Sequence, residues 1–223
     1  MITEALSSQS VLLPVGLSCV SVLALVLCDY HKVRAGRYIF KPLAAAAFLW
    51  LALSLDATAT TYGSWLLAAL VCCMVGDLFL MPDSERTFLA GLTAFLCGHL
   101  LFAVAFLQLP TNTLGLIITS LPAVVLLVAV LRWLAPHVNR EMKIPVALYV
   151  LVITAMLLCA GLTAGQPAAM AIIGGAWGFA FSDLAVARRQ FVQPDSRSNG
   201  LWGTPLYFFS QMLLASSLAL IQT

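Results

Sequence analysis

All eleven lysines and arginines of this chain fall between alternate pairs of long apolar runs. The runs read as 11–28, 42–55, 63–81, 87–107, 113–134, 144–161, 167–187 and 202–221. Most reach the ~18 residues that carry a helix, at ~1.5 Å per residue, across ~30 Å of hydrocarbon. The first connection carries Lys32, Arg34, Arg37 and Lys41, and the third carries Arg86 beside Asp83 and Glu85. The fifth carries Arg132, Arg140 and Lys143, and the seventh Arg188, Arg189 and Arg197. The second, fourth and sixth connections hold no basic residue and one acid, Asp56. Cytoplasmic connections collect Lys and Arg, so the odd connections are expected inside and both termini of the eight-helix chain outside. Moving any one span would scatter the basic residues over both sides.

Composition excludes a water-facing shell. Hydrophobic residues make up 62% of the chain and charged residues 9%, with a mean hydropathy of +1.01. So little charge cannot solvate the surface of a soluble protein. The expected fold class is all-α: a polytopic membrane protein with eight transmembrane helices, residues 1–223 forming a single integral-membrane domain in a bacterial-type inner membrane. The net charge of +2 follows the topology, and no basic face accompanies it, so nucleic acid is not an expected partner. The opening MITEALSSQS lacks a basic n-region, so the first run is expected to persist as a helix. The six cysteines lie in or beside apolar runs without a CxxC and are expected as buried thiols.

Proline and loop positions refine the spans. Pro42 and Pro145 suit the first turns of spans two and six, where a missing N–H costs little. Pro14 and Pro122 fall inside spans. The connection 188–201 is the longest, and its polar, turn-rich composition suits a rim or lid. An internal echo accompanies this layout: Lys41-Pro42 opens span two as Lys143 and Pro145 open span six, and Gly76-Asp77-Leu78 parallels Ser182-Asp183-Leu184. Four helices per half preserve orientation, so the echo predicts two parallel four-helix halves.

Asp77 and Asp183 break the apolar rule. A carboxylate in hydrocarbon costs ~2.5–3.5 kcal/mol on insertion scales and faces a bundle interior or a watery cavity. Both aspartates lie near the basic ends of spans that run the same way, so the topology gives them one depth. Two carboxylates sharing a dry cavity cannot both ionise cheaply, and that inequality equips a pair for general acid–base chemistry. The structural alternative is helix capping or tying through Ser182, Thr93 or backbone groups. His99 sits mid-span, Tyr149 in the basic half of span six, and Tyr207 and Gln211 project from one face of span eight at i and i+4. Lys41 either holds a phosphate at the rim or anchors a helix end. Gly174 and Gly178 give span seven a GxxxG face, and Gly91 and Gly98 offer span four another.

No GxSxG elbow, HExxH or phosphate-binding glycine loop is present. His31 and His137 lie in connections, away from His99, which disfavours a three-histidine intramembrane zinc site. Three function classes stay open on the residues alone: a lipid hydrolase using the two aspartates, a small transporter using them as proton or cation sites, and a non-catalytic scaffold.

Particular stretches narrow this. Gly76-Asp77-Leu78-Phe79-Leu80-Met81, followed by Phe88, Gly91, Phe95, Gly98, His99 and Leu100, resembles the YhhN/TMEM86 family of integral-membrane lysoplasmalogenases. So do Gly175, Gly178, Phe181-Ser182-Asp183-Leu184, Tyr207 and Gln211, with Lys41-Pro42-Leu43 at the opening of span two. The resemblance implies hydrolysis of the vinyl-ether bond of lysoplasmenyl-choline or lysoplasmenyl-ethanolamine to a fatty aldehyde and a glycerophospho-base. It implies Asp77 and Asp183 as catalytic, and Lys41, His99, Tyr149, Ser182, Tyr207 and Gln211 around a lysophospholipid substrate. Acid chemistry on a vinyl ether requires no metal or organic cofactor.

The orientation is testable by reporter fusion. Alkaline phosphatase, active only outside the cytoplasm, is expected to be active when fused at the C-terminus and inactive when fused after Asn139.

Overall fold

The computed structural model describes residues 9–194, 196 and 198–221. The reading of residues 1–8 and the basic residue Arg197 lie outside the described residues. Among the described residues, eight helices are long and apolar enough to cross a membrane. They are α1 (Gln9–Tyr30), α2 (Arg34–Ser54), α3 (Thr61–Phe79), α4 (Glu85–Phe106), α5 (Thr113–Leu134), α6 (Lys143–Leu162), α7 (Ala169–Ala187) and α8 (Ser198–Ser216), with a short α9 (Leu218–Ile221) after them. The protein is an all-α polytopic membrane protein.

Two spans differ from the sequence reading. α2 starts at Arg34, not near Pro42, so most of the basic connection is helical and Pro42 lies inside the helix. Arg34, Arg37 and Lys41, spaced i, i+3 and i+7, share one stripe, so the charge run is an amphipathic helix rather than a loop. The chain reverses between α1 and α2 at Lys32, whose φ is 59°, and Gly36 lets α2 press against Cys28. At the other end of the sequence, a π-helical turn, Arg188–Val192, extends α7, and α8 begins at Ser198. The stretch expected as a rim or lid is therefore a corner between two helix ends, Val192 and Ser198. Arg188 makes it, donating to Ser198 Oγ at 2.7 Å and Asn199 Oδ1 at 2.9 Å. Pro145 does occupy the first turn of α6, and Pro14 and Pro122 lie inside α1 and α5.

The helices pack as hairpins, α1 on α2, α3 on α4, α5 on α6 and α7 on α8. Between hairpins α2 meets α3, α6 meets α7, α4 meets α6 and α8 meets α2. Each of these pairings recurs four helices later. Small residues set the close approaches. On α7 it is Gly175 and Gly178 that meet Leu214 and Ser210 of α8, whereas Gly174 has only the tip of Leu213 nearby, so the contact uses i, i+3 spacing. Gly91 and Gly98 receive Leu80 and Cys73 across the α3–α4 hairpin.

α5 turns Leu114, Ile117, Ile118, Leu121 and Val125 outward, all strongly exposed. A face of that composition requires an apolar solvent, which the bilayer provides. All six cysteines are free, but only Cys73 is buried as expected, and Cys19 and Cys97 are exposed on the apolar outer surface. The four basic connections converge on one end, where Lys32, Arg34, Arg37, Glu85, His137 and Arg189 surround a single open vestibule of about 810 Å³. The opposite end is held by polar ties: Tyr62 Oη to Ser217 Oγ at 2.6 Å, and Asn112 N–H donating to Leu162 O at 2.7 Å.

Candidate active site

Below the vestibule lies an inner cavity of about 140 Å³, bordered by Asp77, Asp183, Lys41, Tyr149, Ser182 and Tyr207. α3 delivers Asp77 less than one turn before its end at Phe79, and α7 delivers Asp183 just ahead of its π-turn. The two carboxylates thus face one space from parallel helices.

Their partners are unlike. Asp77, with a side chain 3% exposed, receives the Lys41 ammonium at 3.2 Å on Oδ1 and the Tyr207 hydroxyl at 2.7 Å on Oδ2. Lys41 also donates to the Asp77 backbone carbonyl at 3.1 Å. Asp77 therefore has the surroundings of an ionised carboxylate, with donors only and a cation in contact. Asp183 receives the Tyr149 hydroxyl on Oδ2 at 2.9 Å, and His99 Nε2 faces the same oxygen at 3.4 Å. That approach is ion-pair range, but it is too poorly aligned for a hydrogen bond, so Nε2 makes none.

The other ring nitrogen constrains this contact. His99 Nδ1 lies 2.7 Å from Phe95 O, four residues back on α4. A carbonyl only accepts, so Nδ1 carries a hydrogen and donates. Nε2 is then either a bare lone pair or a second N–H. A bare nitrogen facing a bare carboxylate oxygen would set two acceptors against each other. A proton on either group would relieve that opposition. No such proton is needed at Asp77, where Lys41 supplies the positive charge.

An aromatic layer fixes these groups. His99 is fully buried and stacks on Phe179, with centroids 4.2 Å apart and an interplanar angle of 19°. Tyr149 meets the His99 ring edge-on at 5.4 Å, and Phe95 meets Tyr207 edge-on at 5.8 Å. Such packing holds the phenol and imidazole in single orientations while keeping water from their backs.

The remaining candidates take other places. Ser182 borders the cavity, but its hydroxyl donates to Phe179 O at 2.7 Å, and Thr93 donates to Leu89 O. Neither ties a carboxylate. His99 stands behind Asp183 and does not border the cavity. Gln211, one turn beyond Tyr207, is fully buried away from the cavity, with its amide near the Cys73 thiol. The sequence reading missed Arg37, Arg189, Asp29 and Asn199, all of which border the cavity. For Arg37 a signal existed: it precedes Lys41 by one turn on the same face. Arg189 was hidden by reading 188–201 as a loop.

The site repeats across the two halves. Asp77 and Asp183 are 106 residues apart, Lys41 and Tyr149 are 108 apart, and His99 and Tyr207 are 108 apart. Each aspartate is met by a residue from the preceding helix of its own half and by one from the last helix of the other half.

Fold and site together define a polytopic helical membrane protein with a buried, unequally partnered carboxylate pair. The YhhN family model matches residues 36–218, and the chain belongs to that family. Among curated relatives, the lysoplasmalogenase of Mycobacterium bovis is 32% identical over 133 residues, covering 57% of this chain and 50% of that protein. Human lysoplasmalogenase TMEM86B is 34% identical over 175 residues, covering 78% of this chain and 70% of that protein. The chain spans about half the length of the mycobacterial relatives it matches. No solved structure matches it.

The Lys41–Asp77 pair makes a stability prediction. Removing one member of a buried pair leaves a stranded charge and costs ~3–5 kcal/mol, whereas removing both with apolar groups costs far less. Lys41→Met is expected to lower the unfolding free energy in detergent by about that amount, and Lys41→Met/Asp77→Leu to recover most of it.

Proposed function

We propose that this protein hydrolyses the vinyl-ether bond of a lysoplasmalogen, lysoplasmenyl-choline or lysoplasmenyl-ethanolamine, releasing a fatty aldehyde and a glycerophospho-base. One observation carries the reading: Asp77 and Asp183 open on a single cavity, one held by a cation and the other by a tyrosine hydroxyl with an imidazole behind it. Vinyl ethers resist base and yield to acid, so their hydrolysis needs a proton donor and a separate proton acceptor in one place. Relatives named lysoplasmalogenases support the substrate class.

The steps follow from the partners. Asp183 gives its proton to the alkenyl carbon one removed from the ether-bearing carbon, and the ether oxygen shares the resulting positive charge. The Asp77 carboxylate stabilises that oxocarbenium ion and takes a proton from water as the water oxygen bonds to the cationic carbon. The product is a hemiacetal. Its hydroxyl proton passes to Asp183 as the bond to the glycerol oxygen breaks, and Asp77 returns its proton to that oxygen. Aldehyde and alcohol leave, and both aspartates regain their starting states. Tyr207 and Tyr149 hold the carboxylates in place, Lys41 balances Asp77, and His99 sets the proton on Asp183. Fixed donors and charges in a dry site reorganise little during reaction, which lowers the barrier.

The cavity's lining supports such a substrate. From Tyr149 and Asp183 an apolar crevice runs outward between α5 and α6, lined by Leu126, Val130, Leu134, Val146, Val150 and Ile153. The alkenyl chain lies there, continuous with the bilayer, while the headgroup points to the vestibule. The protein sits in a cell membrane with both termini outside, so the vestibule opens to the cytoplasm.

Asp77→Asn and Asp183→Asn, purified and folded in detergent, are each expected to lower aldehyde release from lysoplasmenyl-ethanolamine by at least a hundredfold. Near-normal turnover in either variant would remove the two-carboxylate mechanism. Uptake of lipid into proteoliposomes without aldehyde would mark a transporter instead.

A further inference from the structure

Six residues border both the vestibule and the inner cavity and so form the neck between them: Asp29, Arg37, Leu80, Phe88, Arg189 and Phe191. They sort by chemistry. Phe88 and Phe191 meet edge-on, with ring centroids 6.2 Å apart, and Leu80 adds a third apolar wall. The other three are charged. Arg37 Nε donates to Asp29 Oδ1 at 3.0 Å, and this pair is only about a quarter exposed. Arg189 has no such restraint: among the described residues it makes no ion pair and no hydrogen bond.

The π-turn accounts for this placement. A π-helical residue rotates the side chains that follow it relative to an α-helix, and such turns collect at functional sites. Here Arg188 turns to the α8 corner, where Ser198 and Asn199 accept from its guanidinium, while Arg189 faces the neck. At the neck itself two cations, Arg37 and Arg189, stand against one carboxylate, Asp29, which Arg37 holds. Arg189 is left without an ion pair among the described residues, with Asp29 and Asp83 acting on it only at longer range.

We propose that Arg189, backed by Arg37, binds a phosphodiester monoanion at this neck, and that the anion is the headgroup phosphate of the lysolipid. The assignment rests on the lysolipid reading of the cavity. A planar guanidinium matches two phosphate oxygens at once, which a lysine cannot do. Depth agrees as well. Arg37 precedes Lys41 by one helical turn, ~5.4 Å, and the glycerol backbone between an ether oxygen and its phosphate spans a similar length. With the phosphate at Arg189, the vinyl ether falls beside Asp77 and Asp183. The cationic end of the headgroup then lies in the vestibule near Asp83 and Glu85, which border that space. The neck thus selects for a phosphate at a fixed distance from the scissile bond.

The test measures binding, not turnover. The probe is a saturated 1-O-alkyl lysophosphatidylethanolamine, which has no vinyl ether to cleave, compared with the uncharged 1-O-alkylglycerol of the same chain. Affinities are read by titration of the full chain in detergent. Arg189→Gln is expected to weaken the phospholipid at least tenfold while leaving the alkylglycerol within twofold, and Arg189→Lys to fall between wild type and Arg189→Gln. Unchanged phospholipid affinity in Arg189→Gln, or an equal loss for both probes, would overturn the proposal. Soluble glycerophosphoethanolamine competing as tightly as the lipid would overturn the lipid assignment in favour of a free phosphate ester. Arginine-dependent phospholipid binding in a protein that releases no aldehyde from lysoplasmenyl-ethanolamine would uphold this site and remove the hydrolase reading, so the two fail separately.

Discussion

A carboxylate deep among membrane helices must find compensation from the protein itself, because hydrocarbon supplies none. That requirement organises this molecule. Asp77 draws Lys41 from α2 and Tyr207 from α8, and Asp183 draws Tyr149 from α6 and His99 from α4. Six of the eight spans thus contribute to two acidic residues. α1 and α5, which supply none of these partners, flank the site and carry much of the lipid-facing surface.

The two halves place equivalent helices around equivalent aspartates but use different side chains to hold them. Where the first half offers Lys41, the second offers Tyr149; where α8 offers Tyr207, α4 offers His99. A symmetric pair would give both carboxylates one preference. Unequal partners, a cation on Asp77 and a phenol on Asp183, give the two carboxylates different preferences, which is the division that acid–base chemistry needs. The cavity is likewise unequal in its lining, cationic toward the vestibule and apolar toward α5 and α6.

Much of the fold was legible because a membrane chain writes its topology in apolar length and basic asymmetry. The eight spans and the shared depth of Asp77 and Asp183 follow from those two signals. Less legible was α2: its first two turns are rich in Arg and Lys, so hydropathy reads them as a connection, although Arg34, Arg37 and Lys41 keep helical spacing. The π-turn after α7 was hidden for a similar reason, since a polar, turn-like composition covers a helix that continues. Tyr149, Tyr207 and His99 stood out as polar groups in apolar spans. Their pairing did not, because partners 34 to 130 residues apart meet only through helix packing. Gln211 shares a face with Tyr207 in sequence, yet the cavity stops short of it.

The central claim is that a fixed acid beside Asp77 delivers a proton to carbon rather than to oxygen. Turnover of lysoplasmenyl-ethanolamine in deuterated water, with the aldehyde reduced at once and examined by mass spectrometry and deuterium NMR, reads that step directly. The account predicts one deuterium per product, on the carbon next to the aldehyde and on a single face. Product without deuterium at that carbon, or with deuterium spread equally over both faces, would contradict it.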